Sequence, residues 1–395
     1  MTNNSVTDTI TYVGVDDTDI QRFENQYPVP HGMSYNSYIV RGTEKTALLD
    51  TVELSFGSEW LARVEDALGS AAPDYLVVHH MEPDHSSNIV LALDRWPAMK
   101  IVSSAKAIAM LPQFFEHANF DGRTVAVKEG ESIDLGGRTL TFYAAPMVHW
   151  PEVVVSYDSL DKVLFSADAF GKFGALAYDD DWTSEARRYY VNIVGKYGAQ
   201  TQALLKKAAR LDIAAIAPLH GPVLTANLDR YIGLYDTWSK YEPETPGVLV
   251  AYASIYGGTR DCALAFAEML AAEGVATVLP FDLCSGDVSE AVSQAFRLSA
   301  TVLAAPTYDA SLFPPMARFL HHLKLKNWRN RPVGIIENGS WAPISGKLMA
   351  EAVSAMPGIT VAAPAVTIRS RMHDSDIPAL RQLAQAIATA ASQKA

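Results

Sequence analysis

Four residues that lie close together in the chain, His80, Glu82, Asp84 and His85, have side chains of the types that bind metal ions, and they follow the apolar run YLVV. His80 and Glu82 are two residues apart, which places both side chains on one side of an extended segment. Asp84 and His85 come after Pro83 has turned the chain. This spacing predicts two pairs of ligands that face two neighbouring metal ions. For any single member, the alternative is a hydrogen-bonded side chain near a strand end.

Three further ionisable residues each come directly after an apolar, strand-like run. His149 follows TFYAAPMV, Asp168 follows VLFSA and His220 follows IAAIAPL. Burial of an unpaired Asp or His side chain costs free energy, so three such positions require partners. Metal ions would provide these partners. His79 has no role in this scheme, and we interpret it as a hydrogen-bonded residue.

A second group of residues is typical of a ligand-binding sheet edge. The loop SIYGGT, residues 254–259, follows the strand GVLVAYA and opens onto a helix, and its glycines let a phosphate approach the backbone N–H groups. It lacks the Gly-Lys-Ser/Thr ending of a nucleoside triphosphate loop. The loops APTYDASLFPP and ENGSWAPISG follow the third and fourth strands of the same region, where Tyr308 and Trp341 could flank a flat ring. The alternatives are an ordinary strand-to-helix turn and aromatic side chains that only pack.

The elements that must position these residues fall into two parts. Up to about residue 240, short β-rich runs alternate with helical patterns such as SEWLARVEDAL and YYVNIVGKYGAQTQALLKKAARL, which predicts sheets covered by helices. The segment SKYEPETPG, residues 239–247, interrupts both periodicities, and we interpret it as a linker. Beyond it, five strands, the last of them ITVAAPAVTI, alternate with helices and predict a doubly wound parallel sheet. The predicted domains are residues 1–244 and 245–395.

The composition is that of a globular protein, because 49% of the 395 residues are hydrophobic and 19% are charged. A formal net charge of −12 without clustered Lys and Arg argues against nucleic acid as a partner. The apolar runs are too short to cross a bilayer, and the polar N-terminus shows no secretory signal, so we expect no membrane association and a cytoplasmic location. The two cysteines, Cys262 and Cys284, are isolated and predict neither a disulfide nor a thiolate metal site.

The pattern His80-x-Glu82-x-Asp84-His85, followed by His149, Asp168 and His220, resembles the metal centre of the metallo-β-lactamase fold in the variant found in flavodiiron proteins. Zinc hydrolases of that fold have His where Glu82 stands, and a carboxylate there favours iron. The resemblance implies a diiron centre. By resemblance, one iron would be held by His80, Glu82 and His149, the other by Asp84, His85 and His220, and Asp168 would bridge the two.

The three loops beyond residue 247 resemble those of flavodoxin and imply FMN, with the first loop around its phosphate and the other two around its ring system. The residues implied to contact FMN are Ser254, Ile255, Tyr256, Gly257, Gly258, Thr259, Pro306, Thr307, Tyr308, Asp309, Ala310, Asn338, Gly339, Ser340 and Trp341. The resemblance covers nearly the whole chain. It implies an N-terminal metallo-β-lactamase-like αββα sandwich followed by a flavodoxin-like, doubly wound, five-stranded parallel sheet.

This resemblance implies an oxidoreductase that reduces dioxygen to water, nitric oxide to nitrous oxide, or both, with FMN as the electron donor to the irons. It also implies a head-to-tail homodimer or a dimer of dimers. Because the chain has no Cys-x-x-Cys pair for a fused rubredoxin, we expect an external electron donor such as rubredoxin. Two alternatives stay open. One is a zinc-dependent thioester hydrolase with an appended flavodoxin domain, and the other is a non-enzymatic electron carrier.

Overall fold

We describe a computed structural model of the chain, which covers residues 5–178 and 181–393. The chain forms two compact units, one of Met1–Tyr190 with Ala199–Asp236 and the other of Val191–Gly198 with Thr237–Ala395. The predicted domain limits, 1–244 and 245–395, stay a prediction. Among the described residues, no helix has both the length and the apolar character needed to cross a bilayer.

The first part of the chain is rich in short strands. Its strands are β1 Ile10–Tyr12, β2 Val15–Asp17, β3 Arg22–Phe23, β4 Tyr27–Pro28, β5 Met33–Tyr35, β6 Tyr38–Arg41, β7 Thr46–Leu49, β8 Tyr75–Val77, β9 Lys100–Ser104, β10 Thr124–Val127, β11 Ser132–Asp134, β12 Thr139–Ala144, β13 Val154–Asp158, β14 Val163–Phe165 and β15 Ala215–Ala217. Its helices are α1 Gly57–Leu68, α2 Pro83–Ser86, α3 Ile89–Arg95, α4 Ala105–Phe114, α5 Trp182–Ile193, α6 Gly198–Ala208 and α7 Leu228–Ser239.

Two sheets of the first unit pack face to face. One has the strand order β1-β6-β7-β8-β9-β10, and the other has the order β11-β12-β13-β14-β15. Side chains of both sheets, among them Leu49 and Val77 from the first and Phe142 and Phe165 from the second, form one buried apolar cluster. Alternate residues of a strand point to opposite faces, so such a cluster marks the inner faces of a sandwich. Helix α4 packs on β9 and β10 of the first sheet.

One predicted helix is interrupted. The run that begins YYVNIVGKYG was expected to be a single helix, but α5 ends at Ile193, a 3₁₀ helix spans Gly195–Tyr197, and α6 starts at Gly198. The two glycines explain the break, because glycine has a low helix propensity and leaves the backbone free to change direction.

The second unit contains one main sheet. Its strands are β16 Thr245–Tyr252, β17 Val278–Asp282, β18 Leu298–Tyr308, β19 Ser311–Leu312, β20 Pro332–Asn338, β21 Thr360–Val361 and β22 Val366–Ile368. Its helices are α8 Gly258–Ala272, α9 Val288–Arg297, α10 Pro314–Leu325, α11 Ser345–Ser354 and α12 Ile377–Ser392. The strand order β17-β16-β18-β20-β21 is that of a doubly wound sheet whose first strand lies between the second and the third.

Both faces of this sheet are covered. Val248 and Val250 of β16 belong to a buried cluster with residues of α8 and α12, while Leu249 and Ala251, which point the other way, are also buried. The fifth strand differs from the prediction. The run ITVAAPAVTI forms two pieces, β21 and β22, which both pair with β20. Pro364 lies between them, and a proline has no N–H to donate to a ladder.

Candidate metal centre

Three of the predicted ligands stand at the same distance past the ends of parallel strands. His80 comes three residues after β8, Asp168 three residues after β14, and His220 three residues after β15. In the parallel pair β14 and β15, Phe165 lies opposite Ala217, so the chain brings Asp168 and His220 to one sheet edge. The carboxyl ends of the strands in both sheets therefore position the site.

Four of the side chains form a first cluster, His80, Glu82, His149 and Asp168. The Nε2 atom of His149 lies 2.9 Å from Glu82 Oε2 and 3.2 Å from Asp168 Oδ2. The Nε2 atom of His80 lies 3.2 Å from the same Glu82 oxygen and 3.3 Å from Asp168 Oδ2. The two Nε2 atoms are 3.4 Å apart. Two imidazole nitrogens and two carboxylate oxygens therefore converge on one point.

The other three side chains form a second cluster, Asp84, His85 and His220. Asp84 Oδ2 lies 3.2 Å from Nε2 of His85 and 3.3 Å from Nε2 of His220. The two Nε2 atoms are 3.1 Å apart. Helix α2 begins at Pro83, so its first turn carries both Asp84 and His85, which explains how neighbouring residues in the sequence reach one point.

Asp168 faces both clusters. Its Oδ2 atom approaches the first, and its Oδ1 atom lies 3.4 Å from His85 Nε2 and 3.6 Å from His220 Nε2. Among the described residues, neither oxygen of Asp168 and neither oxygen of Asp84 has a hydrogen-bond partner, although all four atoms are buried. A buried carboxylate that accepts no hydrogen bond is costly, and cations at the two points of convergence would compensate it.

The donor set of each cluster is suited to iron. Each offers two imidazole nitrogens, one carboxylate of its own and one oxygen of Asp168. Two histidines with one carboxylate form the ligand set typical of non-haem ferrous iron. The residues present therefore fit a pair of iron ions. The assignment of the seven side chains as ligands stays a proposal.

The charges of the cluster shift the pKa values of its members in opposite directions. Burial lowers the pKa of His149, but its contacts with Asp168 and Glu82 outweigh burial and raise the pKa to about 9. The pKa of His80 is raised against burial by the charge of Asp168, and that of His85 by the charge of Asp84. Burial raises the pKa of Asp168, yet the charge of His80 holds it well below its ordinary value. Protons and cations would thus compete for the same nitrogens.

Several residues that support the site were not predicted. Glu152 accepts hydrogen bonds from His80 Nδ1 at 2.8 Å and from the Met81 backbone N–H at 3.0 Å. His220 Nδ1 donates to the Ser34 backbone carbonyl at 2.7 Å. Both contacts leave Nε2 directed at the cluster. Glu152 follows His149 in the run HWPE, so its proximity to a candidate ligand was the one signal available in the sequence.

His79 has a separate environment. Its Nδ1 contacts Asp50 Oδ2, its backbone N–H donates to Asp50 Oδ1 at 2.7 Å, and its Nε2 lies 2.7 Å from Ser156 Oγ. All three residues are buried. The interpretation of His79 as a hydrogen-bonded residue is confirmed. Its contacts fix the start of the segment that carries His80.

The predicted flavin loops lie at the carboxyl edge of the second unit's sheet. Residues 254–257 join β16 to α8, whose first two residues are Gly258 and Thr259. Residues 306–310 include the end of β18, and residues 339–341 follow Asn338, the last residue of β20. Tyr256 is 96% exposed and Trp341 is 83% exposed, whereas large aromatic side chains are usually covered. A planar ligand at this edge would cover them.

Contacts between loops shape this edge. The Asn338 side chain donates to Thr259 Oγ1 at 3.1 Å and to the Ser370 carbonyl at 3.1 Å, and it accepts from the Ser370 N–H at 2.9 Å. Asn338 thus holds the first and third loops together. Ser370 belongs to a fourth loop, after β22, which the sequence reading missed. A Cβ atom on Gly258 would lie 2.0 Å from the Ser370 carbonyl oxygen, so this position requires glycine.

Both parts of the chain are similar to known proteins. Residues 33–221 match the family model described as ODP family beta lactamase. The chain is 32% identical over 337 residues to a putative diflavin flavoprotein A 2 of Synechocystis, with 82% of this chain covered. It spans only 56% of that relative's length. It is 28% identical to the nitric oxide reductase of Moorella thermoacetica, with 97% of this chain and 98% of the relative covered.

Solved structures agree with these matches. The chain superposes on the rubredoxin oxygen:oxidoreductase of Desulfovibrio gigas with a TM-score of 0.91 and 28% identity, over 99% of this chain and 98% of the other. It superposes on the flavodiiron protein of Giardia intestinalis with a TM-score of 0.92 at 22% identity, over 100% and 98% of the two chains. The predicted fold, a metallo-β-lactamase-like αββα sandwich followed by a flavodoxin-like sheet, is confirmed. The chain belongs to the flavodiiron protein family.

Proposed function

We propose that this protein is an oxidoreductase that reduces dioxygen to water, nitric oxide to nitrous oxide, or both, at a non-haem diiron site supplied with electrons through FMN. The observation that carries the proposal is the carboxylate of Asp168, which presents one oxygen to each of two histidine and carboxylate clusters. Two metal ions held side by side can bind one small molecule, or two, between them.

Seven side chains would hold the irons. His80, Glu82 and His149 belong to the first position, Asp84, His85 and His220 to the second, and Asp168 to both. When bound, the iron pair supplies open coordination positions and electrons to the gas. The protein fixes the direction of two of the four imidazole donors, that of His80 through Glu152 and that of His220 through the Ser34 carbonyl.

Aromatic side chains exclude water from one side of the second cluster. The His220 ring has Phe23 at 5.4 Å, Tyr35 at 5.9 Å and Tyr189 at 5.5 Å between ring centroids. All three are buried. Burial raises the pKa of Tyr189 well above its ordinary value, so its phenol keeps its proton at neutral pH. This apolar wall suits a small uncharged gas better than a charged substrate.

FMN would be held at the carboxyl edge of the doubly wound sheet, with its phosphate at the loop 254–259 and the N-terminus of α8. Tyr308, which is 43% exposed, and Trp341 are available to flank the ring system. When bound, FMN accepts electrons from a donor and passes them on singly. The names of the two relatives and of the Desulfovibrio gigas structure support this assignment of flavin, gas and donor.

Partners and location are part of the proposal. An external electron donor such as rubredoxin would reduce the FMN, which the name of the Desulfovibrio gigas protein supports. We also propose a head-to-tail homodimer or a dimer of dimers, and a cytoplasmic location. The net charge of −12 supports the prediction that nucleic acid is not a partner.

The test is anaerobic reduction of the purified, iron- and FMN-loaded protein, followed by exposure to dioxygen or to nitric oxide in separate experiments. We expect rapid reoxidation by at least one gas, with water or nitrous oxide as the product. Failure of both gases to reoxidise the protein would contradict the proposal. Hydrolysis of thioesters by a zinc-loaded protein would instead support the hydrolase alternative, which the carboxylate of Glu82 disfavours.

A further inference from the structure

Glu152 is a buried carboxylate that the metal clusters themselves do not use. It is 2% exposed, and its Oε1 atom accepts hydrogen bonds from His80 Nδ1 and the Met81 N–H. Its Oε2 atom is also buried and has no hydrogen-bond partner within residues 5–178 and 181–393. No described lysine or arginine lies in ion-pair contact with it. A negative charge in such a place requires positive charge nearby.

The two clusters differ in the groups that contact the Nδ1 atoms of their histidines. In the first, the Nδ1 atom of His80 faces the carboxylate of Glu152. In the second, the Nδ1 atom of His220 faces a neutral carbonyl, that of Ser34. The Nδ1 atom of His85 is buried and has no hydrogen-bond partner in the described part of the chain. Of these three histidines, only His80, in the first cluster, has a charged hydrogen-bond acceptor at its Nδ1 atom.

The negative charge of Glu152 adds to the charge of the first cluster. Glu82, Asp84 and Asp168 carry three negative charges at the clusters, and Glu152 adds a fourth beside the first cluster. Two ferrous ions carry four positive charges, so the diferrous site is neutral only when Glu152 is included. The additional charge acts through His80 on one metal position more than on the other, because electrostatic interactions weaken with distance.

We propose that Glu152 is a positioning residue that makes the two metal positions unequal. It holds the Nδ1–H of His80 and strengthens Nε2 as a donor, so the position formed by His80, Glu82 and His149 binds its ion more tightly and has the lower reduction potential. The inference rests on the proposed diiron function, because it concerns the same two positions. Its test requires no gas turnover.

The experiment is a Co²⁺ titration of the full-length, metal-free protein, followed by visible absorption, in the wild type and in Glu152→Gln. The wild type should bind two equivalents with two separate affinities. Glu152→Gln keeps the size of the side chain and removes its charge, so it should weaken the tighter equivalent by about 10- to 100-fold and leave the weaker one unchanged. In the iron-loaded protein, one of the two one-electron steps, followed by EPR, should shift to a more positive potential.

Two control variants separate this role from a general effect of burial. Asp158→Asn makes the same exchange at a buried carboxylate whose partner, Arg138, belongs to neither cluster, and it should leave both Co²⁺ affinities unchanged. Glu152→Asp keeps the charge and should retain two unequal affinities. If Glu152→Gln does not fold, the wild type and Glu152→Asp still test the proposal through the separation of their two affinities.

The outcomes distinguish this inference from the proposed function. Two equal affinities in the wild type, no effect of Glu152→Gln, or an equal loss in Asp158→Asn would overturn the role of Glu152 while leaving a diiron site intact. Binding of fewer than two metal equivalents by the wild type would overturn the proposed function as well.

Discussion

Replacement of Asp168 should affect both metal positions at once. Its Oδ2 atom lies 3.3 Å from His80 Nε2, and its Oδ1 atom lies 3.4 Å from His85 Nε2, on opposite sides of one carboxylate. Asp168→Ala removes both oxygens, whereas Asp168→Asn keeps one carbonyl oxygen and therefore one weaker ligand. We expect the alanine variant to lose affinity for both ions and the asparagine variant to lose it unequally.

The magnitude follows from burial. Asp168 is fully buried, and loss of one partner from a buried charge pair costs about 3–5 kcal/mol. At about 1.4 kcal/mol for each factor of ten, this corresponds to a loss of about a hundredfold to a few thousandfold in affinity at each position. The iron content of Asp168→Ala after dialysis should therefore fall close to zero while its FMN content stays that of the wild type.

Iron and FMN contents are measured on the same purified sample, together with Co²⁺ affinity. Asp158→Asn is the matched control, because Asp158 is equally buried but binds the Arg138 guanidinium, with Oδ1 2.8 Å from Nε. This control should lower thermal stability and keep both metal ions. Wild-type affinity for two ions in Asp168→Ala would refute the bridging role.

Three further predictions concern the proton, the flavin and the metal. Because the pKa of His149 is raised to about 9 and the pKa values of His80 and His85 are also raised, metal ions must displace protons from these nitrogens. Metal affinity, measured by calorimetry, should therefore rise with pH through neutral pH, by up to about tenfold per pH unit for each proton displaced. A pH-independent affinity would contradict this. Gly258→Ala should lose FMN, measured by flavin fluorescence, while Gly233→Ala, where a Cβ meets open space, should retain it. Glu82→His should raise the zinc-to-iron ratio in metal analysis of the purified protein, and an unchanged ratio would count against the role of Glu82.

Local features of the sequence were sufficient to predict that the candidate ligands lie close together, although their role as ligands stays a proposal. His80, Asp168 and His220 stand just beyond apolar strands, and parallel strands bring their carboxyl ends to one edge. The pairing of Glu82 with His80 followed from the alternation of side chains in an extended segment. The same local rules predicted five strands alternating with helices in the second half of the chain.

Long-range contacts lay beyond such rules. Glu152 is 72 residues from His80 in the chain, and Ser34 is 186 residues from His220. Neither distance leaves a trace in periodicity or spacing. The break in the fifth strand could have been predicted from the sequence, because Pro364 lies in the middle of the run. A single strand was predicted instead, because an edge strand tolerates proline and the residues on both sides are apolar.

Anomalous diffraction at the iron edge from crystals of the purified protein tests the central claim most directly. Two peaks per chain are expected, one among His80, Glu82 and His149 and the other among Asp84, His85 and His220, with the Asp168 carboxylate between them. A single peak, or a signal at the zinc edge with none at the iron edge, would contradict the account of a diiron site.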